Sequence, residues 1–178
     1  YKMYNPVEIN KNLFYVGVND RIKSLFENLW PLPKGVSYNS YVIRDEKIAL
    51  VDTVDICYAD VFFDKLEVVL NGRSVDYLII NHMEPDHSGA LNFLINKYPN
   101  IQLVGNTRTA DMLKGYYNIT SNIKIVKEGE ELSLGTNTLK FFMTPMVHWP
   151  ETMMSYLIES NTLFAGDAFG TFGALNGG

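Results

Sequence analysis

Residues 82–87 read HMEPDH, two imidazoles and two carboxylates within six positions, directly after the apolar run DYLII. The chain has only 3 histidines. The third, His148, also follows a strand-like run, LKFFMTP, and Asp167 follows another, TLFAG. His82, Glu84, Asp86, His87, His148 and Asp167 thus stand just past apolar runs, where strands fix positions and loops supply side chains. Bringing Glu84, Asp86 and Asp167 together would cost about 4 kcal/mol per close pair at an effective dielectric of about 20, and cations remove that cost. Three imidazoles with three carboxylates are a harder, more anionic donor set than the His/Cys sets of zinc, and they suit iron or manganese. Six donors are too many for one ion that keeps open positions and suit two ions sharing a ligand, with Asp167 the candidate bridge. The competing reading is a solvated polar loop, in which the clustering of every histidine with carboxylates is coincidence.

The local pattern of the first motif bears on its geometry. Residues 82, 84 and 86 share a parity, so an extended backbone aims all three to one side. Pro85 disfavours helix at Glu84 and removes a backbone donor, which favours an extended loop. His87 falls on the opposite parity, toward a second ion.

The elements that must position these groups follow from periodicity and turn chemistry. NLFYVGV (12–18), SYNSYVIRD (37–45) and KIALVDTV (47–54) read as strands, the last two joined by a hairpin turn. Segment 58–71 has a helical apolar stripe closed by Gly72. DYLIIN (76–81) is a strand covered on both faces. Ser88 is placed to cap a helix over 89–98, which ends before Pro99. A strand at 101–106, a helix at 109–117, a β-rich block at 123–145 with a turn at 135–137, and a final hairpin at 153–167 complete the chain. Hairpins first, then strands alternating with helices, predict an α/β layer protein with helices outside. The closing stretch AFGTFGALNGG has no final helix and reads as a fragment's end.

At 178 residues, with 47% hydrophobic and 13% aromatic content, the chain suffices for one well-buried core. A net charge of −5 argues against a nucleic-acid or anionic-membrane surface. No apolar run approaches membrane-spanning length, and no export signal opens the chain, although its start at Tyr1 leaves trimming open. The single cysteine, Cys57, excludes an internal disulfide and reads as a small hydrophobe near a helix start, and a reducing cytoplasmic compartment is expected.

HMEPDH, His148 and Asp167 together resemble the metallo-β-lactamase superfamily pattern, with Glu84 where most members carry histidine. That replacement, with the phrases VSYNSYVI, ALVDT, NHMEPDHSGAL, MVHWPETMMSYL and GDAFGTFG, resembles the flavodiiron proteins (A-type flavoproteins) over essentially the whole chain. The resemblance implies a metallo-β-lactamase-like αββα sandwich over 1–178, lacking its C-terminal part, with a non-haem centre of two Fe. It implies His82, Glu84 and His148 on one iron, Asp86 and His87 on the other, and Asp167 between them. One further histidine beyond Gly178, the last strands and helix, and a flavodoxin-like FMN domain are implied by the family and absent from the sequence. The family reduces O2 to water or NO to N2O. It forms head-to-tail homodimers that bring the FMN domain of a partner subunit to the irons, fed by a rubredoxin-like, flavoprotein or other electron donor.

Asp52, in LVDT, either holds a ligand histidine in the right tautomer or is a turn residue. Phe26, Trp30 and Trp149 either wall an apolar gas pocket or pack as core. Met153 and Met154 read as core. The alternatives are a zinc-dependent hydrolase of the same superfamily, which Glu84 opposes, and a non-catalytic domain that keeps the fold for assembly.

Overall fold

The structure is a computed structural model, and it describes residues 4–175. Eight short strands come first: β1 (Val7–Asn10), β2 (Leu13–Tyr15), β3 (Val18–Asp20), β4 (Leu25–Phe26), β5 (Trp30–Pro31), β6 (Val36–Tyr38), β7 (Tyr41–Arg44) and β8 (Ile48–Val51). Helix α1 (Ala59–Leu70) leads to β9 (Tyr77–Ile79), the short turn of helix α2 (Pro85–Ser88), α3 (Leu91–Lys97), β10 (Gln102–Gly105), α4 (Thr107–Tyr117) and β11 (Ile123–Ile125). Four antiparallel strands follow: β12 (Glu131–Ser133), β13 (Thr138–Met143), β14 (Met153–Leu157) and β15 (Thr162–Phe164).

One sheet has seven strands in the order β1-β2-β7-β8-β9-β10-β11, antiparallel as far as β8 and parallel from β8 to β11. The switch follows from the connections. A tight turn returns β7 into β8, whereas α1, α2–α3 and α4 cross over between the later strands. A second sheet of four strands packs on it.

Two apolar clusters, one on each face of the seven-stranded sheet, hold these layers together. Ile48, Leu50, Leu78 and Leu103 point to Phe62, Leu66, Leu91, Leu94 and Leu113 of the helices. Ala49, Val51, Ile79 and Val104 point instead to Leu139, Phe141, Met153 and Phe164 of the second sheet. Strict alternation along strands buried on both faces explains why 48–51 and 77–80 read as unbroken apolar runs rather than alternating ones. The result is helices, sheet and sheet in three layers, which matches the αββα sandwich that the resemblance implies, less its second helical layer among the described residues. Among the described residues every helix contributing to a core lies on the seven-stranded side.

Four local expectations fail here. The run 37–45 is not one strand: its first part is β6, paired with β3, and its second is β7 in the large sheet. The run 12–18 is not one strand: the chain leaves the large sheet after Tyr15, and β3 pairs with β6 in a separate ribbon. Gly17 makes this possible, since a Cβ there would stand 2.2 Å from the Tyr38 carbonyl oxygen. Ser88 does not cap a helix. It is the last residue of α2, and its hydroxyl donates to the carbonyls of Met83 (2.8 Å) and Glu84 (3.1 Å). Cys57 does sit at a helix start, but it is exposed rather than packed.

Candidate metal centre

The parallel pairing of β8 with β9 puts the ends of both strands on one edge of the sheet, so Asp52 and the 81–87 segment emerge side by side. In the second sheet the β13–β14 loop, which carries His148, opens at the same edge as the end of β15, which carries Asp167. Asn81 joins the two sheets there. Its carbonyl accepts from Met153 N–H (3.0 Å), its amide donates to the Phe164 carbonyl (3.3 Å), and its side-chain oxygen accepts from Ser155 Oγ (2.6 Å).

The 82–87 segment is not extended throughout. Glu84 is extended at φ −57°, ψ 144°, and Pro85 then begins α2 at its first position, where a missing N–H costs nothing. Proline therefore starts a helical turn rather than holding the loop straight. The consequence is a division of labour: His82 and Glu84 project from extended backbone, while Asp86 and His87 project from the turn. Gly89 lets that turn lie against the 54–56 segment, because a Cβ there would meet Ile56 N and the Pro85 carbonyl at 2.6 Å.

Six predicted residues converge as two groups. In the first, His82 Nε2 lies 3.0 Å from Glu84 Oε2 and 3.2 Å from His148 Nε2, and His148 Nε2 lies 3.0 Å from Glu84 Oε2. Asp167 Oδ2 completes it, 3.3 Å from His148 Nε2 and 3.7 Å from His82 Nε2. In the second, His87 Nε2 lies 2.7 Å from Asp167 Oδ1 and 3.6 Å from Asp86 Oδ2. Asp167 thus offers one oxygen to each group. Spacings near 3 Å are those of donors sharing an ion at bonds of about 2 Å.

The electrostatics support a fit to cations. Glu84, Asp86 and His87 are buried, and Asp86 Oδ1 has no hydrogen-bond partner. Burial, together with the charges of Asp167 and Glu84 and against the pull of His87, raises the Asp86 carboxyl to about 6. Burial also disfavours charge on Asp167, but the hydrogen bond and charge of His87, with His82 and His148 behind them, hold its carboxyl at about 2. Burial would lower His82, yet its bonds to Glu151 and Glu84 outweigh it and raise the imidazole to about 9. His87 is likewise held well above its ordinary value, with burial opposed by Asp167, Asp52 and Asp86. Without a metal, protons on His82 and His87 offset part of the carboxylate charge.

This has a testable consequence. His82 titrates at about 9 when folded against 6.5 ordinarily, so its contribution is complete below about 6.5 and is lost as pH rises through 9. We expect the thermal midpoint of the metal-free protein to fall between pH 6.5 and 9, measured by calorimetry in excess chelator. A midpoint that rises across that window would contradict the pairing.

Asp52 lies beside the centre: Oδ2 is 3.6 Å from His87 Nδ1, beyond hydrogen-bond range, and Oδ1 accepts Asn81 N–H at 2.8 Å. Phe26, Trp30 and Trp149 line a cavity of about 630 Å³ whose floor includes Glu84, Asp86, His148 and Asp167, with Phe172 opposite. Phe26 is buried against Phe172 (5.1 Å between rings), Trp149 stands edge-on to His82 (5.3 Å), and Trp30 is exposed. Met153 and Met154 are buried as core.

Sequence reasoning missed Glu151. Fully buried, it holds His82 Nδ1 at 2.8 Å and accepts Met83 N–H at 2.9 Å through the same oxygen. Burial would raise its carboxyl, but these bonds hold it below the ordinary range. Its partner lies 69 positions away, so no local spacing marks it.

A carboxylate-rich cluster of two donor groups at the shared edge of two packed sheets, with helices on the outer face, is the arrangement of a β-lactamase-like domain with side chains placed to hold metal. Residues 36–176 match the ODP family beta lactamase, and the chain belongs to that family. It is 38% identical over 167 residues to an anaerobic nitric oxide reductase flavorubredoxin of Vibrio vulnificus, covering 92% of this chain and 34% of that protein. It is 37% identical over 170 residues to a nitric oxide reductase of Moorella thermoacetica, covering 94% of this chain and 43% of that protein. Among solved structures, the rubredoxin oxygen:oxidoreductase of Desulfovibrio gigas aligns with TM-score 0.92 at 31% identity, covering 96% of this chain and 43% of that one. The flavodiiron protein of Giardia intestinalis aligns at 0.90 with 29% identity, covering 98% and 43%. The flavodiiron resemblance read from HMEPDH therefore holds. The chain spans about a third to two fifths of the length of these relatives. Among the described residues no helix is long and apolar enough to cross a membrane.

Proposed function

We propose that the 178 residues form the di-iron domain of a flavodiiron-type oxidoreductase that reduces NO to N2O, O2 to water, or both. The observation that carries this is Asp167, whose two oxygens face the two donor groups. In this reading His82, Glu84 and His148 hold one iron, Asp86 and His87 contribute to the other, and Asp167 bridges. Two ferrous ions, when bound by these residues, would supply the redox chemistry, two electrons for one small substrate.

The chain's own residues do the rest. Asp167 fixes the spacing of the two donor groups, and the buried carboxylates favour the oxidised ions electrostatically. Phe26, Trp149 and Phe172 give one part of the cavity an apolar wall beside the donor residues, a setting in which a small uncharged substrate can lie against the metal site. Electrons come from an FMN-binding domain outside these 178 residues, supplied by a partner subunit in a head-to-tail homodimer and refilled by a rubredoxin-like or flavoprotein donor. The names of the relatives and the flavodiiron neighbours support this assignment.

Loading the chain with ferrous iron under argon and following NO loss with reduced FMN tests the proposal. Two irons per chain with N2O formed is the expected result. Two tightly held zincs with esterase turnover, and no NO consumption, would replace it with the hydrolase reading.

A further inference from the structure

The geometry points to Glu151 as a positioning residue that fixes the tautomer and orientation of His82 and sets the affinity of one ion of the pair. The inference rests on the two-metal reading. His82 has no exposure, and its two ring nitrogens face different carboxylates: Nδ1 meets Glu151 Oε1 at 2.8 Å, and Nε2 meets the donor cluster. With the proton on Nδ1 donated to Glu151, the Nε2 lone pair is free to ligate. An imidazole whose outer nitrogen is bound to a carboxylate is also the stronger donor.

Two further contacts make Glu151 more than a neighbour. The same Oε1 accepts the N–H of Met83, the residue between His82 and Glu84, so the carboxylate grips the backbone that carries two of the donors. The Glu151 carbonyl in turn accepts the Asn106 amide at 2.6 Å, which anchors the His148 loop to the start of α4. Glu151 Oε2 is buried and has no hydrogen-bond partner among the described residues. Among the described residues the other group has a longer contact of this kind: the Asp52 carboxylate lies 3.6 Å from His87 Nδ1.

Cobalt(II) titration of the chain under argon, read by ligand-field absorption, separates the two ions. We expect the parent to take up two. Glu151→Gln keeps an acceptor for Nδ1–H and for Met83 N–H but loses the charge, and should weaken one ion about 10-fold. Glu151→Ala should weaken that same ion toward 100-fold and change its spectrum, with the second ion bound as in the parent. Selective loss at one ion, graded from Gln to Ala, is what general loosening of the fold would not produce. If the alanine variant fails to fold, the glutamine variant alone decides. A parent that binds two ions, with a Gln variant indistinguishable from it, overturns this inference only. A parent that binds no cobalt overturns the metal-centre reading as well.

Discussion

Asp167→Asn is expected to leave the fold standing and to reduce the metal content from two ions per chain to one or fewer, with turnover falling about 100-fold or more. The carboxylate is about a third exposed, with 34% of its side chain accessible, so an isosteric amide disturbs little packing. What it removes is the second ligating oxygen. Oδ1 sits 2.7 Å from His87 Nε2 and Oδ2 sits 3.3 Å from His148 Nε2, one for each donor group. An amide offers one oxygen and an N–H2 that cannot ligate, and it carries no charge to offset the second cation. Elemental analysis of the iron-loaded variant, beside circular dichroism, checks this. A variant that retains two ions and parental turnover would remove Asp167 as the bridge.

Chelation is expected to lower the thermal midpoint of the loaded chain by about 10 °C. Ions that bind only the folded state stabilise by about 4 kcal/mol when free ion exceeds the dissociation constant about a thousandfold. For a chain of this length each kcal/mol moves the midpoint by about 2–4 °C. The structure shows where that energy acts: once metal is gone, the buried Asp86 oxygen and the crowded Glu84, Asp86 and Asp167 carboxylates are offset only in part, by the His82 and His87 imidazoles beside them. Trp149, edge-on to His82 at 5.3 Å, should report the loss as a fluorescence change. A midpoint shift below about 1 °C would mean that the cluster tolerates its charges unaided.

What could be read from the sequence, and what could not, divides along physical lines. The convergence of the six side chains was legible because histidines and carboxylates clustered past apolar runs need only spacing to be seen. The doubly covered strands were legible because burial on both faces leaves a continuous apolar run, as in IALV and YLI. The helical turn at 85–88 was misread because proline opposes helix only when it is interior, and here it stands first. Ser88 looked like a cap, since its hydroxyl competes for backbone groups in either setting; burial against the Met83 and Glu84 carbonyls decided for the other. Glu151 and Asn81 act across 69 and 74 positions of sequence, to His82 and Ser155, and no local pattern encodes such a partner. The split of 12–18 likewise depends on the approach of Tyr38 to Gly17, a tertiary event.

The central claim is that paired cations sit among His82, Glu84, His148, Asp86, His87 and Asp167. Anomalous scattering at the iron edge, from crystals of the chain loaded with ferrous iron under argon, tests it most directly. The account predicts two peaks, one beside His82, Glu84 and His148, the other beside Asp86 and His87, with the Asp167 carboxylate between them. A single peak, or Asp167 turned away from both, would contradict it.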